Sequence, residues 1–79
     1  MTVKLLLLPG ESYVEFQLAA QAARPGSFVC VAGYGEAACG YIPTDRHIAE
    51  RDSNLADWSW VAPGSEARLL AVIRKALLP

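Results

Sequence analysis

Glu11 follows Pro9-Gly10 directly, at the end of the run Leu5-Leu6-Leu7-Leu8, and Tyr41 follows Gly40 thirty residues later. A lone carboxylate at such a place is either a solvated acid favoured by the positive end of a helix or half of a site. Tyr34 and Tyr41 read on composition as packing residues, their rings buried and their hydroxyls satisfied at the surface. Gly33, Gly35 and Gly40 could bring backbone N–H groups close to an anion, but they match no phosphate-loop pattern. His47, the only histidine, falls in a polar stretch and reads as a solvated surface imidazole. A metal site of Cys30, Cys39 and His47 has no recognised spacing, and Cys30 should point into a sheet. Trp58 and Trp60 could line an apolar pocket; cover for a sheet edge is the reading preferred here.

The elements that must position these residues follow from pattern. Val3 to Leu8 is apolar except for Lys4, the pattern of a strand buried on both faces, as in a parallel sheet. Pro9-Gly10 ends it. Ser12-Tyr13-Val14-Glu15 has the form of a capping box opening a helix from Ser12 to about Ala23, with Val14, Leu18 and Ala22 on one face and Phe16, Ala19, Ala20 and Ala23 beside it. Arg24-Pro25-Gly26 stops that helix, because the residue before a proline is pushed out of helical geometry. Phe28 to Ala32 is a second unalternating strand, which completes a βαβ unit with a right-handed crossover expected. Tyr34 to Pro43 reads as a long glycine-containing loop. Thr44 or Asp45 can cap a short helix reaching about Glu50. Leu55 to Val61 reads as irregular or briefly helical. Pro63-Gly64-Ser65 opens a last helix, whose Leu69, Leu70, Ile73, Ala76 and Leu77 form one apolar stripe.

The expected fold class is therefore α/β, and 79 residues allow one small domain. Glu11 and the Tyr34–Tyr41 loop both follow strands, so both belong at the carboxyl end of the sheet, where open α/β folds bind ligands. Two strands buried on both faces need neighbours that this chain does not supply. Residues 1–79 are thus expected to form a single partial domain, a piece of a larger α/β domain or an obligate oligomer. The 53% hydrophobic, 19% charged composition fits that expectation. A net charge of −1 argues against nucleic acid as a partner, because no cationic surplus exists to displace counterions from phosphates. No stretch is long enough to span a bilayer. The leucine run is too short, and lacks the cleavage site, for a signal peptide. With two cysteines and no C-x-x-C pair, a reduced, cytoplasmic chain is the default.

The stretches "LPGESYVEFQLAAQ" and "VAGYGEAACGYIPT" resemble the end of the catalytic domain of the neutral/alkaline (non-lysosomal) ceramidase family, especially its divergent bacterial members. The resemblance runs from Leu5 to the final helix, anchored by L-P-G-E and G-Y-I-P-T. It implies a zinc-dependent amidohydrolase of sphingolipid metabolism, which hydrolyses the N-acyl amide bond of ceramide or a related lipid amide. It further implies that Glu11 and Tyr41 are zinc ligands and that Tyr41 is also catalytic, steadying the oxyanion of the attacked amide. The family's histidine ligands lie far upstream of these motifs, and His47 follows the tyrosine. The chain is thus expected to be inactive alone, a fragment or truncated relative that binds zinc weakly, its partner being the missing upstream part of the catalytic domain or a second copy. The alternative is a small noncatalytic α/β interaction module that self-associates or docks on another protein.

Overall fold

The computed structural model describes residues 2–35 and 40–78. In chain order the elements are β1 (Thr2–Leu7), β2 (Glu11–Ser12), α1 (Val14–Ala23), β3 (Ser27–Ala32), β4 (Tyr41–Ile42), α2 (Asp45–Ala49), α3 (Leu55–Trp58) and α4 (Ser65–Ala76). This is a small α/β fold.

β1 and β3 pair in parallel from Thr2↔Ser27 to Leu7↔Ala32, with α1 as the crossover. Beyond that ladder the two strands bend together. The Leu8 N–H donates to the Ala32 carbonyl at 2.8 Å, Gly35 N–H to Leu8 O at 2.8 Å, and Tyr34 N–H to Gly10 O at 2.9 Å. Gly10 makes the bend at φ 53°, a left-handed conformation that costs glycine least. After it the chains resume parallel pairing as β2 and β4, in the register Glu11↔Tyr41 and Ser12↔Ile42. The reading of Tyr34 to Pro43 as one loop is corrected here: Tyr41 lies in a strand. A two-residue strand is too short to leave a periodic signal.

One face of the β1–β3 sheet is covered. Leu8 and Val29 pack with Phe16 and Ala20 of α1, with Ile73 of α4 and with Leu77 just past its end into a single core. The α4 stripe faces this core at Leu69, Leu70, Ile73 and Leu77, as its spacing predicts, while its Ala76 is exposed. α1 does not follow its expected face, because its buried residues are Phe16 and Ala20, while Val14 and Leu18 stand more than half exposed. The helix is apolar nearly all round, so its pattern could not select a face. The capping box is also absent. Ser12 belongs to β2, the N-cap is Tyr13, and no side chain caps the helix. Pairing with β4 keeps the chain extended through Tyr13, whose N–H donates to Ile42 O, so the helix begins one residue later than the box requires.

The other face of the sheet is bare. Val3, Leu5 and Leu7 are 66–69% exposed, and Phe28, the register partner of Val3, is 57% exposed. Burial on both faces, expected from the unalternating runs, is not achieved among the described residues. Both packing helices lie on one side, and Cys30, paired with Leu5, shares the open side. None of the described helices is long and apolar enough to cross a membrane.

Candidate functional site

Paired residues in a parallel ladder direct their side chains to the same face, and neighbouring strands lie about 4.8 Å apart. The Glu11↔Tyr41 register therefore sets a carboxylate beside a phenol at the end of the sheet reached by the carboxyl termini of β1 and β3. Both residues are half-buried. Their backbones are held from both directions, since Glu11 N–H donates to Gly40 O at 3.0 Å and Ser59 Oγ donates to Tyr41 O at 2.9 Å. Ser59 also forms an antiparallel bridge with Gly40. Gly40 has φ 70°, and a Cβ there would overlap the Trp58 carbonyl oxygen. Only glycine fits that approach.

Tyr13 continues the alternation two residues beyond Glu11, in extended backbone at φ −66°, ψ 156°, so it shares the face of Glu11. Its ring meets that of Tyr41 edge-to-face at 5.8 Å between centroids and 89° between planes. Its hydroxyl donates to Asp52 Oδ2 at 2.8 Å across 39 residues of sequence. Desolvation by partial burial, together with the bond to the Asp52 carboxylate, pushes the Tyr13 hydroxyl up to about 12. Asp52 is lowered, first by the Asn54 N–H donating to Oδ1 at 3.0 Å and then by Tyr13.

His47 joins this group from α2. Its ring packs on Tyr13 at 4.5 Å, Nδ1 lies 2.6 Å from Thr44 Oγ1, and Nε2 lies 3.4 Å from Glu15 Oε2. Glu15 also takes an ion pair from Arg46 at 2.9 Å. The imidazole is only 16% exposed, so the expectation of a solvated surface histidine is corrected. Thr44 is the helix cap, its hydroxyl accepting from His47 N–H at 3.4 Å. The same 44–47 turn carries the imidazole inward.

Other sequence candidates lie apart from this face. Tyr34 is 79% exposed and has φ 57°, so its ring is not packed. Trp58 and Trp60 contact each other at 6.5 Å and flank the Ser59 bridge to the β4 edge. The two residues stay 59% and 64% exposed, so the segment covers the edge mainly with backbone. Cys39 lies outside the described residues. Among the described residues, no group of three or more His, Cys, Asp and Glu side chains is placed to hold a metal ion. The participation of Tyr13, Asp52 and Thr44 was missed from the sequence. Tyr13 carried one unused signal, its two-residue offset from Glu11; Asp52 carried none.

No family model, curated protein or solved structure matches the chain.

Proposed function

We propose that this chain contributes the oxygen half of the zinc site of a neutral-ceramidase-like amide hydrolase. Glu11 and Tyr41 would be the ligands, with the histidine half supplied from outside these 79 residues. The observation that carries the proposal is the register of β2 against β4, which pairs the two residues that the ceramidase resemblance marks. The donor set suits the ion, because zinc accepts hard oxygen ligands and catalytic sites commonly combine them with imidazoles. Zinc held there would lower the pKa of its bound water toward about 7 and polarise the amide carbonyl. Glu11 would hold the ion as an ionised carboxylate. Tyr41 would lend its phenol oxygen and, as a donor, hold a proton toward the oxyanion that develops on the amide. The substrate class is a lipid N-acyl amide, ceramide or a relative.

The bare apolar face of β1 and β3 favours a second reading, a noncatalytic module that docks or self-associates through that face. Sedimentation of the wild type and of Leu5→Lys examines it: loss of association in the variant supports docking.

Zinc titration of the chain, followed by NMR with ¹³Cζ-tyrosine and ¹³Cδ-glutamate, examines the zinc reading. Glu11 and Tyr41 should move together, with an apparent Kd no tighter than micromolar, because catalytic zinc typically uses three protein ligands. Glu11→Gln should abolish the Tyr41 response. Silence at Tyr41 up to about 5 mM zinc, an affinity of only about −3 kcal/mol, overturns the reading.

A further inference from the structure

Two tyrosines share the face of Glu11, and the structure gives them different company. The Tyr13 hydroxyl is committed to Asp52 at 2.8 Å, which directs it toward the segment between α2 and α3. The Tyr13 ring, meanwhile, meets Tyr41 edge-to-face and also contacts the half-buried His47 ring. Tyr41 itself sits in a two-pair ladder, where backbone bonding constrains a long side chain weakly. We infer that Tyr13, anchored through its hydroxyl by Asp52, is the positioning residue that orients the Tyr41 ring beside Glu11.

The inference rests on the zinc reading for its purpose and on the ring geometry for its substance. A ligand oxygen on a tyrosine lies far from the backbone, so a small rotation of the ring displaces it substantially. Misplacement of about 1 Å at a reacting group can cost about 10²-fold in rate. An edge-to-face neighbour that is itself tied down removes that freedom. Asp52 is suited to the anchoring role, because its other oxygen accepts from Asn54 N–H at 3.0 Å and the carboxylate is fixed at both ends. Asp52 acts only through Tyr13 on this account, so it is not a ligand.

Two readouts test the inference separately from the zinc reading. In the metal-free chain, NOEs between Tyr13 and Tyr41 and the ring-current shifts of Tyr41 report the orientation of its ring. Wild type should show both. Asp52→Asn and Tyr13→Phe should weaken them, and Tyr13→Leu should abolish the Tyr41 ring-current shifts, with circular dichroism confirming that the fold persists. The second readout is the zinc response of Tyr41, which should weaken about 3- to 10-fold in Asp52→Asn and in Tyr13→Phe. The double variant should be no worse than either single, because coupled residues are non-additive. A merely structural role would lower unfolding stability without this non-additive effect on zinc. Unchanged Tyr41 shifts in both Asp52→Asn and Tyr13→Leu overturn the inference. If the shifts respond but wild-type Tyr41 never responds to zinc, the zinc reading falls and the positioning of Tyr41 stands.

Discussion

The two parallel ladders of this chain are built on opposite terms. The β1–β3 ladder runs through six residue pairs, is almost wholly apolar, and takes its support from α1 and α4 pressed on one face. The β2–β4 ladder runs through two pairs and sets Glu11 against Tyr41. Its support comes from side chains distant in sequence: Asp52 on Tyr13 and Ser59 on the Tyr41 carbonyl. The long ladder is stabilised by burial, which is non-directional and tolerant of imprecision. The short one is held by directional contacts, each small in free energy but specific in geometry. Stability and placement of the candidate site are therefore separable by mutation.

The largest effect should come from the core that supports the long ladder. Phe16 is essentially fully buried, and Phe16→Ala should cost about 3–5 kcal/mol in urea unfolding. That is comparable with the whole stability of so small a domain, and both ladders should be lost together. A cost under about 1 kcal/mol would show that the covered face is not the chain's core.

Gly40→Ala should separate the ladders. An alanine held at that positive φ and overlapping the Trp58 carbonyl should cost about 1–3 kcal/mol. Hydrogen exchange should then show protection lost at Glu11 and Tyr13 N–H but kept through β3. Equal loss at both ladders would mean that they form one cooperative unit.

pH should act through the Tyr13–Asp52 bond beside the short ladder. A raised phenol stabilises the fold while protonated, so that contribution is complete below the ordinary 10.0 and lost as pH rises through about 12. Asp52 has the opposite sign: its contribution is present above 3.8 and lost as pH falls through its lowered folded value. Tyr13→Phe should remove the alkaline loss and reduce the acid one. An unchanged alkaline limb in that variant would assign it to another group.

The smallest effect belongs to Arg46→Ala. Its pairs with Glu15 and Glu50 lie at the surface, and such pairs contribute about 0–1 kcal/mol. A larger loss would show that the His47 turn depends on this ion pair.

Legibility in the sequence divides along the same line. The two long strands, the α1 crossover and the α4 stripe were readable because each repeats a pattern over six or more residues. Which face of α1 is buried was not, since Val14, Phe16, Leu18 and Ala20 are all apolar and the positions of β3 and α4 decide among them. The pairing of Glu11 with Tyr41 was foreseeable only as proximity beyond two parallel strands. The β2–β4 register depends on the bend at Gly10 and on Gly40, whose conformations leave no periodic trace. Asp52 and Ser59 reach the site across 39 and 18 residues of sequence, a relation that no local pattern records.

Pro43 follows β4 directly and is almost wholly buried. Having no N–H, it cannot serve as the next donor to Glu11 O if β4 slides by one residue and brings Ile42 opposite Glu11, because the ladder bonds flank the residue opposite Glu11. A slide by one would turn Tyr41 to the opposite face. Gly40 closes the strand at its other end, because no other residue fits against the Trp58 carbonyl. The segment 40–43 is thus a keyed connector with a single seating. Whereas surface turns ordinarily absorb insertions and deletions, a change of one residue here would unseat the phenol from the carboxylate, so length variation in relatives of this chain should fall outside 40–43.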